Sequence, residues 1–178
     1  LMVDHRGYGN SEGTPTIENL KRDALSVYDY VATRTDLKST PTILHGHSLG
    51  SMIAGYVASE RPADALVLEG SITNVKQMTS QRMPWFVKPF VEVNFSDELA
   101  RVDNLKVVES FTAPLLIITG EDDTQTPPAL AETLYQHALS KQKQLYIVKG
   151  KHHGNALTGD KLQLHYQRLV MQLNAKKS

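Results

Sequence analysis

The chain has 178 residues, 40% of them hydrophobic, which suits a single globular domain with a real hydrophobic core. Its 19 Lys and Arg balance its 19 Asp and Glu, so the formal net charge is zero and nothing in the charge favours a nucleic-acid partner. The chain has no Cys, which excludes disulfides, thiol nucleophiles and Cys-ligated zinc, and no apolar run approaches the ~20 residues of a membrane span.

Short apolar segments alternate with helical patterns along the chain, and this alternation is typical of a parallel α/β sheet. We place a helix wherever apolar residues recur at steps of three and four, and a strand wherever an apolar run is bounded by Pro, Gly or polar residues. The elements predicted in chain order are the end of a strand at 1–3, a helix over 17–31, a strand over 42–45, a helix over 48–59, a strand over 65–68, a strand over 115–118, a helix over 128–138, a strand over 145–148 and a closing helix over 162–173.

Residues 71–112 break this alternation and form an insertion between two predicted strands, in which we expect short helices. The segment is rich in apolar and aromatic residues, among them Trp85 and Phe86. One interpretation is that it packs over the sheet, and the other is that it forms a cap over an apolar substrate pocket. We therefore expect one domain over 1–178, with 71–112 as a cap-like insertion within it.

The stretch Gly46-His47-Ser48-Leu49-Gly50 has the G-x-S-x-G pattern and lies between a predicted strand and a predicted helix. A serine that projects from a sheet can sit on a tight strand-to-helix turn, where the backbone crowds against residues two positions away. We expect the two glycines to remove β-carbons that would clash there. The positive end of the following helix can stabilise negative charge that develops near Ser48.

A serine hydroxyl is a poor nucleophile at neutral pH and needs a base, usually a histidine held by a carboxylate. In the fold that carries the G-x-S-x-G motif, the chain order is serine, acid, histidine. Glu121, Asp122 and Asp123 follow one late predicted strand, and His152 and His153 follow the last one. Because the carboxyl ends of parallel strands form the clefts of open α/β sheets, we expect these groups to lie near the serine.

The chain resembles the α/β-hydrolase superfamily over essentially its whole length, and most resembles serine-aminopeptidase-like and lysophospholipase-like hydrolases with small caps. Four segments in the right order carry the resemblance: the DHRGYGNSEG loop at 4–13, the GHSLG turn at 46–50, the apolar strand and acidic loop from 114 to 127, and the GKHH segment at 150–153.

This resemblance implies that Ser48 is the nucleophile, Asp123 the acid, His153 the base, and the backbone N–H of Leu49 an oxyanion-hole donor. The family places its acid and its base three residues after a glycine, which selects Asp123 and His153. Asp122, Glu121 and His152 remain the neighbouring alternatives, and Glu69 is a substitute acid at the end of a middle strand.

The resemblance also implies a mostly parallel sheet with helices on both faces, of which this chain would lack the first three strands. The sequence opens with Leu1, so we expect an N-terminal segment to be missing, and a targeting or anchor sequence would lie there. The strand over 42–45 would then have an unpaired edge. A second oxyanion donor would also be missing, and we expect the chain on its own to be inactive or unstable.

The expected function is a serine hydrolase that cleaves carboxylic esters, thioesters or small amides through an acyl-enzyme on Ser48. The alternatives are a non-catalytic hydrolase fold used in binding, and acyl transfer on the same scaffold. We expect no cofactor and no metal, because the seven histidines show no H-E-x-x-H spacing. A small-molecule acyl substrate is the expected partner, and the cytoplasm is the expected location.

Overall fold

The structure is a computed structural model that describes residues 1–82, 102–156, 158 and 160–175. Its elements are regular helices and short strands joined by compact loops. In chain order they are α1 (Ile17–Thr33), a 3₁₀ turn (Thr35–Leu37), β1 (Ile43–His47), α2 (Leu49–Glu60), β2 (Ala65–Glu69), α3 (Val75–Arg82), α4 (Asn104–Ser110), β3 (Leu115–Gly120), α5 (Pro128–His137), β4 (Lys143–Val148) and α6 (Asp160–Ala175).

The four strands form one parallel sheet in the order β1-β2-β3-β4. Every residue of β2 and β3 is buried, whereas β1 and β4 at the two edges are only partly buried. This difference explains the sequence pattern, because a parallel strand covered on both faces has a nearly continuous apolar run, which here gives way to Glu69, Thr119 and Gly120 only at the carboxyl ends of β2 and β3. The α/β class predicted from the alternation of elements is confirmed.

Helices cover both faces of the sheet, as predicted. Successive strand residues point to opposite faces, so each strand contributes to two cores. On one face Leu68 and Ile117 pack with α2, α4 and α5. On the other face Val67 and Ile118 pack with α6 through Leu169. The site residues described below stand where this covered sheet ends.

The first residues differ from the prediction, because Leu1, Met2 and Val3 do not belong to a strand. No described strand lies beside them to pair with, since β1 pairs only with β2 and its other edge is unpartnered among the described residues. A cavity of about 860 Å³ runs between this open edge and α1. The opening loop is instead fixed by Arg6, whose Nε donates to Asp23 of α1 over 2.7 Å.

The insertion predicted over 71–112 begins and ends in helices within the described residues. α3 and α4 are these helices, and an antiparallel bridge between Asn74 and Asp103 brings the two ends together. The Asp103 carboxylate caps α4 by accepting from the backbone N–H groups of Leu105 and Lys106. Residues 83–101 of the predicted cap, which include Trp85 and Phe86, lie outside the described residues.

Candidate active site

Ser48 stands between β1 and α2 with backbone angles φ 53° and ψ −120°. It is the only residue other than glycine with a positive φ in the described parts of the chain. Such a conformation costs of order 1–3 kcal/mol for a residue with a side chain, and it persists only where the surroundings enforce it. Here the Ser48 N–H donates to the Glu69 carbonyl over 2.9 Å, which ties the turn to the end of β2.

The steric prediction for the two flanking glycines is right at Gly46 and wrong at Gly50. A β-carbon on Gly46 would overlap the Gly50 carbonyl and stand 2.6 Å from the Ser51 α-carbon, so the turn closes only without one. A β-carbon on Gly50 would meet no atom within 4 Å. The tight approach is therefore one-sided, because the helix backbone packs onto the strand residue and Gly50 itself faces open space.

Asp123 lies in the loop after β3 and is 3% exposed. Its Oδ1 accepts from the backbone N–H groups of Gln125 and Thr126, each over 2.8 Å. Its Oδ2 accepts from the Thr126 hydroxyl over 2.7 Å and lies 2.8 Å from Nδ1 of His153. Burial alone would raise the pKa of this carboxyl, but the hydrogen bonds from Thr126 and His153 outweigh it and hold the pKa below its ordinary value.

His153 follows β4 and is 9% exposed. Its Nδ1 faces Asp123 and also lies 3.1 Å from the Thr126 hydroxyl, which leaves Nε2 as the nitrogen that can face a reacting group. The ring rests against Gly70, since a β-carbon there would be 3.1 Å from both Cε1 and Nδ1 of the imidazole. Gly70 has φ 49°, so both its backbone and its neighbour favour glycine.

The chain around Ser48 contacts the chain around His153 directly. His47, the residue before Ser48, places its Nε2 2.9 Å from the His153 carbonyl oxygen, and the two rings are 4.8 Å apart between centroids. The Ser48 hydroxyl and His153 are not hydrogen-bonded to each other in the described structure. Such bonds are often long in the absence of a substrate and shorten in the complex.

The three neighbouring alternatives make other contacts. The Glu121 carboxylate accepts from the Gly150 N–H over 3.0 Å. Nδ1 of His152 lies 3.1 Å from the Asp122 carbonyl oxygen. Of the acid and histidine candidates in these two loops, the structure thus brings together Asp123 and His153, whose catalytic roles remain predictions.

Glu69 is buried and belongs to a separate network on the α6 face of the sheet. Its Oε2 lies 3.1 Å from Nε2 of His45, and the Tyr166 hydroxyl lies 2.6 Å from Nδ1 of the same ring. Burial raises the pKa of Tyr166 to about 12, so this hydroxyl keeps its proton at neutral pH and is placed to donate to His45. Glu69 is thus bound to His45 and does not contact His153 among the described contacts.

Two residues of the site were missed in the sequence, Thr126 and Gly70. An aspartate in a turn often accepts from the backbone N–H groups two and three residues later, which here are those of Gln125 and Thr126, so a local signal existed. Gly70 follows Glu69 at a strand end, and a glycine after an apolar strand indicates a turn without showing which ring packs on it.

Neither a metal site nor a bilayer-crossing helix emerges from the described ranges. Nowhere among those residues do three His, Asp or Glu side chains gather in an arrangement that could hold a metal ion. The helices found there all lack the combination of length and apolar character that crossing a membrane requires.

A protein-family model and a curated relative show which family this chain belongs to. The model of the family described as "Serine aminopeptidase, S33" matches residues 1–97, more than half of the chain. The chain belongs to this family. Human "Protein ABHD12B" is 34% identical over 162 residues, which cover 84% of this chain and 44% of that protein. The resemblance to serine-aminopeptidase-like hydrolases is thereby confirmed.

A second relative and a solved structure agree with this family. The zebrafish "Lysophosphatidylserine lipase ABHD12" is 32% identical over 151 residues, covering 78% of this chain and 39% of the relative. The chain therefore spans less than half the length of these two relatives. MGS-MChE2, described as "an alpha/beta hydrolase enzyme from the metagenome of sediments from the lagoon of Mar Chica, Morocco", matches with a TM-score of 0.57 at 24% identity, covering 89% of this chain and 71% of that structure, and this likeness shows the α/β-hydrolase fold.

Proposed function

We propose that the protein carrying this chain is a serine hydrolase that cleaves carboxylic esters, thioesters or small amides through an acyl-enzyme on Ser48. One observation carries the proposal: Ser48 is held at φ 53° on a strand-to-helix turn that contacts the buried Asp123–His153 pair. A serine on a turn in contact with a histidine whose Nδ1 faces a carboxylate supports this proposal, because a histidine base oriented by a carboxylate is what activates a serine hydroxyl for acyl transfer.

In the proposed mechanism, Nε2 of His153 accepts the proton of the Ser48 hydroxyl as the oxygen attacks the substrate carbonyl. The carboxylate of Asp123 keeps Nδ1 protonated and stabilises the imidazolium that forms. The Leu49 N–H donates to the developing oxyanion. His153 then gives its proton to the leaving group, and a water molecule, deprotonated by the same nitrogen, releases the acyl group and restores Ser48.

A lysophospholipid is the first substrate class to test within this broad group. Support comes from the zebrafish relative, which is named a lysophosphatidylserine lipase and is 32% identical over 78% of this chain. Such a substrate has one carboxylic ester, which joins its fatty acyl chain to the glycerol backbone, and cleavage of that ester fits acyl transfer to a serine.

The decisive experiment compares Ser48→Ala with Ser59→Ala in the protein expressed from its complete coding sequence. Ser59 lies in the same helix, where its hydroxyl donates to the Tyr56 carbonyl, so its loss controls for removal of a helical hydroxyl. We expect Ser48→Ala to abolish release of fatty acid from lysophosphatidylserine and of p-nitrophenol from p-nitrophenyl butyrate, with Ser59→Ala unchanged. Equal turnover in both variants would contradict the proposal and favour a binding role for the fold.

A further inference from the structure

Three buried polar side chains outside the Asp123–His153 pair form a continuous path to the backbone of Ser48. Ser51, Ser71 and Asn104 are 0%, 2% and 1% exposed, and they come from α2, the loop after β2, and the start of α4. The Asn104 amide donates to the Ser71 hydroxyl over 2.9 Å, and the Ser71 and Ser51 hydroxyl oxygens are 3.0 Å apart. Because the single Ser51 proton goes to the Ser48 carbonyl, the Ser71 hydroxyl is the donor between these two oxygens, and the Ile72 carbonyl, 3.0 Å away, is its alternative acceptor. The Ser51 hydroxyl donates to the Ser48 carbonyl over 2.5 Å.

The position where this path ends matters because the Ser48 carbonyl and the Leu49 N–H belong to one peptide group. A peptide group is planar, and its C=O and N–H point in opposite directions when it is trans, as all described peptide bonds are here. Fixing the carbonyl toward the buried hydroxyl of Ser51 therefore fixes the Leu49 N–H toward the opposite, exposed side. Leu49 is the first residue of α2, and no described group accepts its N–H.

We propose that Ser51, Ser71 and Asn104 are positioning residues that orient and polarise the Leu49 N–H as an oxyanion donor. The inference rests on the proposed function. Hydrogen bonds to the Ser48 carbonyl withdraw electron density from this peptide group, which makes its N–H a stronger donor, and buried chains of such bonds strengthen one another. The path also links the nucleophile turn to α4, which begins three residues after residue 101, where the undescribed part of the insertion ends.

The test removes one hydroxyl at a time from the protein expressed at full length, with p-nitrophenyl butyrate as the probe. For Ser51→Ala we expect kcat per titrated active site to fall about tenfold with KM within about twofold, because the donor is misaligned and not deleted. Ser71→Ala is expected to lower kcat about threefold, since it acts through Ser51. The double variant should be no slower than Ser51→Ala alone, because the two hydroxyls act as one path.

Ser59→Ala is the matched control, because Ser59 makes the same hydroxyl-to-carbonyl bond three residues back in the same helix but away from the turn. A purely structural role would lower thermal stability and the number of titrated sites while leaving kcat per site unchanged. If Ser51→Ala does not fold, Ser51→Cys keeps the side-chain shape with a weaker donor and should give an intermediate kcat.

The outcomes separate the two proposals. If Ser48→Ala abolishes turnover while Ser51→Ala, Ser51→Cys and Ser71→Ala all match Ser59→Ala in kcat, the positioning role is overturned and the serine mechanism stands. If Ser48→Ala retains turnover, both are overturned. The inference is supported if kcat falls from wild type to Ser71→Ala and falls further in Ser51→Ala. KM and the pH profile that reports His153 should stay unchanged in both variants.

Discussion

The two halves of the candidate site are held in place by different kinds of contact. Side-chain hydrogen bonds hold His153, through Asp123 and Thr126. Backbone bonds at the turn hold Ser48, whose N–H donates to the Glu69 carbonyl and whose carbonyl accepts from the Ser51 N–H, with one side-chain bond added by the Ser51 hydroxyl.

This difference predicts different sensitivities. A substitution that removes one polar side-chain atom should damage the histidine half chemically while the fold survives. In the serine half, added volume near the backbone should do the most harm.

The largest effect is expected in the histidine half, for Asp123→Asn. The amide cannot hold Nδ1 of His153 protonated as the carboxylate does, so we expect kcat to fall by about 10³–10⁴ with little change in KM. Asp122→Asn is the matched control, because Asp122 contacts His152 only through its backbone carbonyl. Steady-state ester hydrolysis measures both, and an equal or larger loss in Asp122→Asn would contradict the assignment.

The next effect is expected in the serine half, for Gly46→Ala against Gly50→Ala. The new β-carbon at position 46 would overlap the Gly50 carbonyl, whereas the one at position 50 has free space. We expect Gly46→Ala to lower the free energy of unfolding by about 1–3 kcal/mol and kcat by about 10². Gly50→Ala should stay within about 0.5 kcal/mol of wild type. Urea unfolding and ester hydrolysis give both quantities, and equal losses at the two positions would refute the one-sided packing.

The smallest effect is the contribution of Asp123 to stability as pH changes. Burial by itself opposes ionisation, yet the bonds from Thr126 and His153 lower the pKa of Asp123 in the folded state. Because the pKa of Asp123 is lower in the folded state than the unfolded value of about 4, its ionisation stabilises the fold above that value, and this contribution is lost as pH falls through the folded-state pKa. The difference in unfolding free energy between wild type and Asp123→Asn should therefore shrink between pH 5 and pH 2. If the difference in unfolding free energy grows toward low pH, the pKa of the Asp123 carboxyl is raised in the folded state, which would contradict this prediction.

Local sequence patterns predicted the sheet well, for physical reasons that particular elements illustrate. Strands covered on both faces are apolar along most of their length, which made β2 and β3 recognisable in the sequence. Pro128 stands in the first turn of α5, a position that needs no backbone N–H donor. The strand predicted at residues 1–3 was wrong, because an apolar run forms a strand only beside a partner strand, and no described strand lies next to these residues.

The supporting contacts of the site could not be predicted in the same way. Asn104 meets Ser71 across 33 residues, and His47 meets His153 across 106. A local sequence pattern does not show contacts between residues so far apart in the chain, since such contacts depend on which strands become neighbours. At Gly50 the local pattern predicted too much, because the motif suggested a steric role for both glycines and the structure shows a close approach only at Gly46.

The most direct test of the account is covalent labelling of the full-length protein with a fluorophosphonate, followed by peptide mapping. We expect a single labelled residue, Ser48, with labelling lost in His153→Ala and retained in His152→Ala. Labelling at a different serine, or labelling of Ser48 at the wild-type rate in His153→Ala, would contradict the claim that Ser48, His153 and Asp123 act as one unit.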